Sequence, residues 1–348
     1  MSLDRRRFLR VAAGALALGV GPRAHALEGD ARERRLRNVR QLTFGGSNAE
    51  AYFDSTGTRV IFQSTRSPFA CDQIFTMNAD GSDVRQVSTG KGRTTCGFFF
   101  PDGRRVLYAS THLSAPECPP APDRSAGYVW PLHPGYDIFS ADLDGGNLRR
   151  LTDHDGYDAE GAVSPDGARI VFTSLRDGDL DVYTMDAGGG DVRRLTHGAG
   201  YDGGAFFSWD GRFIVFRSSR PAGADLDEYR ALLARGLVRP RRLEICVMRA
   251  DGGGLTQVTA NGAANFAPFL HPDSRRIVFS SNLHDPSGRS FALYLVNVDG
   301  SGLERVTWAD SFASFPMFSR DGARLIFSAT RHAQAPRDMN VFVADWVE

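Results

Sequence analysis

Apolar residues fall along this chain in runs of five or six, rich in β-branched and aromatic side chains: RVIFQS, RVLYAS, RIVFTS, FIVFRS, RIVFSS and RLIFSA. Each run follows a polar turn, at Asp54-Ser55-Thr56-Gly57, Pro101-Asp102-Gly103, Pro165-Asp166-Gly167, Trp209-Asp210-Gly211, Pro272-Asp273-Ser274 and Arg320-Asp321-Gly322. A second run comes next (QIFTMN, DIFSAD, DVYTMD, EICVMR, LYLVNV, NVFVAD). In five copies another turn follows, such as Asp80-Gly81 or Asp144-Gly145, and then a short segment that often ends in Leu-Thr or Val-Thr. Runs of this length bounded by Asp-Gly turns are strand signals. Six copies of about four strands each predict an all-β fold, a six-bladed β-propeller of four-stranded blades. The last copy ends at Trp346 without a fourth strand, and a spare strand, Val39 to Thr43, precedes the first copy. That N-terminal strand is expected to complete the sixth blade and close the ring, which removes two open edges.

Three further features bound the chain. Arg5-Arg6-Arg7-Phe8-Leu9-Arg10 precedes an apolar stretch from Val11 to Val20 and then Ala24-His25-Ala26. This is the layout of an export leader, and its arginine pair resembles the twin-arginine signal. The expected organisation is therefore a leader over 1–26, a linker over 27–36 and the propeller over 37–348. Cleavage after Ala26 leaves 36 basic and 40 acidic residues, a net charge of −4, which gives no basic footprint for nucleic acid. No later apolar run is long enough to span a membrane. An exported, periplasmic or otherwise extracytoplasmic, monomeric protein is expected.

The repeat resembles the TolB-type six-bladed propeller family, whose blades read roughly S-P-D-G-x-x-I-x-F-x-S-x-R, then I-Y-x-M, D-G and R-L-T. The blade from Leu151 to Thr196 matches nearly throughout, and the likeness covers about residues 37–346. The resemblance implies the fold. On function it implies less, because such propellers serve as adaptors, gating domains and polysaccharide lyases. The α/β domain that precedes the propeller in TolB itself has no counterpart in the repeat region, so a direct Tol–Pal role is not expected.

Counting back from Pro165 and its equivalents compares the blades position by position. Seven residues earlier lie Asn48, Thr94, Asp158, Asp202, Asn265 and Ala313; five earlier lie Glu50, Cys96, Glu160, Gly204, Ala267 and Phe315. Strand alternation puts both sets on one face, at a mouth of the central channel. Asn48, Glu50, Asp158, Glu160, Asp202 and Asn265 are the ligand-binding candidates there. The acidic rim suits a cation, a sugar or a basic peptide, and calcium is the metal such oxygens would take; no other cofactor is expected. The competing reading is architectural, with Glu50–Arg66 and Glu160–Arg176 as ion pairs inside each blade. Lyases of this propeller group hold a metal with several histidines on this face. Here His112, His133, His154, His197 and His332 show no metal-ligand spacing, and His271 sits beside a turn.

Two insertions, 113–135 and 221–241, lengthen the second and fourth blades. The first is proline-rich and carries Tyr128 and Trp130; in the second, Asp225 to Leu237 has the periodicity of a short amphipathic helix. Both are expected to wall or lid the mouth, with Tyr128 and Trp130 stacking on a sugar or peptide. A disulfide between Cys96 and Cys118 would tie the first insertion down, with Cys71 the rival partner for either and Cys246 a buried thiol. These features point to a binding module of the cell envelope, its partner an envelope protein or saccharide, rather than to an enzyme. The alternative is a polysaccharide lyase or hydrolase with Asp158 and Asp202, or Glu160 with either, as acid and base.

Overall fold

The computed structural model describes residues 30–125, 127–309, 312–336 and 338–348. The expected leader lies outside them. Six four-stranded antiparallel sheets form the ring. Five are built from strands in chain order, two of them interrupted by an insertion. The sixth is made of Ala313–Phe318, Arg324–Ala329, Asn340–Trp346 and the N-terminal strand Leu36–Gln41, which pairs Leu36 with Trp346 and Gln41 with Phe342. The predicted closure is present, with the strand three residues earlier than Val39.

The blade at 158–194 shows why the repeat folds as it does. Its second strand, Arg169–Ser174, buries Ile170, Val171 and Phe172 completely, since both faces of a blade pack on neighbours. In the turn before it, the Ser164 hydroxyl donates to Asp166 (2.6 Å) and accepts from the Arg169 amide (2.9 Å). Gly167 there holds a left-handed φ of 74°. The Leu-Thr signature also has a structural cause. Thr196 Oγ1 accepts the Val182 amide, and Thr152, Thr259, Thr307 and Thr43 do the same for Ile138, Ile245, Leu293 and Val341. The hydroxyl satisfies an amide that the outer strand does not reach, whether that strand has two residues or, in the sixth blade, six.

One feature of the ring positions the site. In every blade the innermost strand carries a bulge, seen as a register skip such as Ala159 to Ala162 or Ala49 to Tyr52. At each bulge one residue is left-handed: Glu50 (φ 49°), Cys96 (54°), Glu160 (57°), Gly204 (58°), Ala267 (49°) and Phe315 (54°). Such φ values are uncommon outside glycine. Recurring in all six blades, they belong to the architecture, and a bulge re-aims the side chain at its position.

The insertions meet each other. Trp130–Pro131 pairs antiparallel with Leu237–Val238, making a two-stranded ribbon between the second and fourth blades. The helix of the second insertion is shorter than predicted, Ala224–Leu233, and buries Tyr229 and Leu232. Val129, Leu232 and Leu237 form a small core shared by the two insertions.

Candidate functional site

Beneath the ribbon lies a cavity of about 1210 Å³ at the mouth of the channel. All six bulge residues line it. The residues two positions earlier do not behave as expected. Asn48, Asp158, Asp202 and Asn265 are buried inside their blades, each at most 1% exposed, and none lines the cavity. The bulge between the two sets breaks strand alternation, and of the earlier set only Thr94 lines the cavity. The arginine clasp is present but grips the earlier set: Arg176 pairs with Asp158 (3.2 Å), Arg220 with Asp202 (2.7 Å), and Arg66 donates to Asn48 (3.0 Å). The expected Glu50–Arg66 and Glu160–Arg176 pairs are replaced by these.

Glu160 reaches its own cation, which sequence reasoning missed. Arg217 belongs to the second strand of the fourth blade, where other blades carry Gln63, Ala109, Thr173, Ser280 and Ser328. Its Nη2 donates to both Glu160 Oε1 and the Tyr201 hydroxyl. Its guanidinium lies 4.8 Å from the Tyr201 ring centre and 5.1 Å from that of Trp130. Gly204 makes room for it: a Cβ there would collide with Arg217 Nη1. An arginine where other blades have smaller side chains, with a glycine at the fourth blade's bulge, is a signal a register comparison can find.

Glu160 is saturated. It accepts from Thr173 (2.7 Å), Tyr201 (2.7 Å) and the Gly204 amide (2.8 Å) besides Arg217. Burial raises its pKa, but the Arg217 charge and these hydrogen bonds outweigh burial and hold it below the usual value. Glu50, two blades away, is different. No cation pairs with it among the described residues. Burial pushes its carboxyl up to about 7, a hydrogen bond from the Cys96 thiol opposes this, and the Glu160 charge adds to it. Burial also drives the Cys96 thiol well above its ordinary pKa, helped by the Glu50 and Glu160 charges, so it is not an activated nucleophile.

The disulfide joins Cys71, not Cys96, to Cys118, with Cα atoms 5.8 Å apart. Cys96 is free because its bulge turns it into the cavity, whereas Cys71 is buried beside Gly92. Cys246 is free and buried.

The far wall is aromatic. Phe266, Phe291, Phe312 and Phe315 pack edge to face or tilted, with centroids 5.2 to 6.2 Å apart, and Trp130 stands at 75° to Phe266. Tyr128 and Trp130 both line the cavity; the Trp130 indole donates to the Tyr128 hydroxyl (3.1 Å), and Tyr128 is 57% exposed. The rim carries Arg93, Arg239, Arg241, Arg242 and Arg289, so it is richer in cations than the sequence suggested. Among the described histidines only His133 lines the cavity; burial, and then Arg93, lowers its pKa. Among the described residues no three His, Cys, Asp or Glu side chains converge as a metal site, and no helix is long and apolar enough to cross a membrane.

Solved structures of known proteins share this architecture. TolB from Acinetobacter baumannii superposes with a TM-score of 0.61 at 17% identity over 85% of this chain, which spans 66% of that protein's length. A TolB-type protein of Agrobacterium tumefaciens gives 0.55 at 20% identity, over 87% of this chain and 91% of that one. An oligogalacturonate lyase solved with manganese gives 0.54 at 15% identity, over 94% and 97%. At these identities the likeness is one of fold. Residues 111–231 match the family model of the TolB beta propeller domain, and the six closed blades give the chain a fold similar to that of the TolB propellers.

Proposed function

We propose that this chain is an exported binding module of the cell envelope whose ligand lies in the cavity beneath the insertion ribbon. The observation that carries this reading is the ribbon itself. Two insertions from non-adjacent blades pair with each other above the bulge position of the repeat, which lines the cavity in all six blades. Loops held over a rigid scaffold are where binding function concentrates, and a large, mainly apolar cavity with a few convergent polar groups is the usual form of such a site. The arginine pair and apolar stretch of the leader support export.

The carbohydrate-active alternative draws on the likeness to the lyase. It needs an acid and a base that are free to exchange protons with a substrate. Asp158 and Asp202 are consumed by arginines inside the blades, and Glu160 is saturated. Glu50 alone remains, and the binding reading is the better supported.

The test is to isolate the protein from its native envelope, denature it and identify the released compounds by mass spectrometry. An Ala267→Phe variant, which places the sixth blade's own bulge residue in the fifth, is the blocked control. A compound recovered near one per chain from the wild type and lost from the variant is expected. Glu50-dependent cleavage of an acidic polysaccharide, with nothing retained, would overturn the reading in favour of the enzyme.

A further inference from the structure

The distribution of charge and aromatic surface around the mouth is uneven, and it selects among ligands. The aromatic wall sits on the side of the fifth and sixth blades. Phe266 is the second residue of the strand Asn265–Leu270. Phe291 and Phe312 meet in an isolated bridge just before Ala292–Asn297 and Ala313–Phe318. All three therefore stand near the mouth rather than deep in the channel.

The rim arginines adjoin this same wall. Arg242 directly precedes Leu243, which bridges to Ala264, two residues before Phe266. Arg289 lies two residues before Phe291. Three guanidiniums, Arg239, Arg241 and Arg242, share the two carboxylates of Asp225 and Glu228, which leaves this cluster with excess positive charge. Arg242 has a side chain 71% exposed. Arg289 is exposed; Asp285 accepts its backbone amide (3.0 Å), and no carboxylate among the described residues pairs with its guanidinium. Deeper in, Glu160 and Arg217 cancel each other. The mouth thus presents a cationic edge directly above an apolar aromatic slot, in a chain whose mature form is expected to be acidic.

We propose that the cavity takes a small amphipathic anion, a carboxylate or sulfonate on an aromatic or alkyl body. The head lies against Arg242 and Arg289. The body lies between the phenylalanine wall and Trp130. Guanidinium recognises such heads through paired donors, and its field at the rim raises the local concentration of anions. Stacking against tilted aromatic rings favours a flat apolar body. This inference rests on the cavity being the binding site and adds the chemical class of its occupant.

The test uses two fluorescent probes of nearly the same shape, anionic 1-anilinonaphthalene-8-sulfonate and its uncharged analogue N-phenyl-1-naphthylamine. The mature chain should bind one sulfonate probe, more tightly than the neutral one, with affinity falling as salt rises. Decanoate should displace it and decylamine should not. In the double variant Arg242→Gln/Arg289→Gln, two surface changes, the sulfonate should lose about tenfold in affinity, while the neutral probe should bind unchanged. Ala267→Phe should weaken both. Equal binding of the two probes with no effect of the arginine changes would overturn the ligand class while leaving the cavity as the site. Failure of either probe to bind in a way that Ala267→Phe disturbs would overturn both readings.

Discussion

Glu50 and Glu160 occupy the same position of the same repeat and have opposite electrostatic fates. Both sit at a left-handed bulge, and both project into one cavity. Glu160 has a guanidinium, two hydroxyls and an amide around its oxygens; Glu50 has a thiol. The difference comes from neighbouring blades. The blade after Glu160 supplies Arg217 and the glycine that admits it, whereas the blade after Glu50 supplies Cys96. A propeller thus repeats a backbone geometry and lets each blade's neighbour decide what a side chain can do. A carboxylate held by Arg217 is part of the wall. A carboxyl with no cation is free to respond to pH and to whatever enters.

Removing the cation should break the contrast most severely. Arg217→Met leaves Glu160 buried without its countercharge, and a loss of about 3–5 kcal/mol is expected in urea unfolding. The double variant Arg217→Met/Glu160→Gln should recover a large part of that loss, since the cost is the orphaned charge. A full loss in the double variant would mean that Arg217 acts through packing alone.

A smaller effect is expected from Gly204→Ala. The methyl would fall on the Arg217 guanidinium, and about 1–3 kcal/mol should be lost. Five other blades carry a side chain at the same φ, so backbone strain is the lesser part. A rise in the pKa of Glu160 should accompany the loss, because its cation is displaced. An unchanged Glu160 titration would show that the guanidinium shifts without releasing the carboxylate.

Glu50→Gln should change stability in the opposite direction, and only where pH ionises the wild-type carboxyl. The folded-state pKa of Glu50, about 7, lies above the unfolded value, so the folded protein holds a proton that the unfolded chain releases. Stability from this group is fully present below the unfolded pKa of about 4.3 and is lost as pH rises through about 7. The glutamine variant avoids that loss. It should be close to neutral at about pH 4 and more stable than the wild type by about 1–3 kcal/mol at about pH 8. Equal stability differences at both pH values would mean that Glu50 titrates as an ordinary surface carboxyl.

Much of this was legible in the chain. The strands, the six-fold count and the closure follow from a periodic pattern that packing enforces in each blade. Glu50, Glu160, Tyr128 and Trp130 were found as residues of the mouth. Asn48, Asp158, Asp202 and Asn265 were misplaced because alternation was carried through a bulge. That bulge uses glutamate, cysteine, alanine and phenylalanine at left-handed φ, and only Gly204 marks it by residue type. The same omission led to pairing Cys96 with Cys118, since an inward turn of Cys96 cannot be read from spacing. Arg217 was visible in principle, as the large cation in a column of small or uncharged residues. The pairing of the two insertions was not: a two-residue ribbon carries no pattern, and it depends on where blades two and four hold their loops.

Two carboxyls at one repeat position should titrate apart because only one has a cation. Carbon-13 NMR of glutamate-labelled protein, assigned with Glu50→Gln and Glu160→Gln, measures both midpoints in one sample. A Glu50 midpoint near neutrality, about 7, and a Glu160 midpoint below the ordinary carboxylate value are expected. Two midpoints together in the ordinary carboxylate range would contradict this expectation.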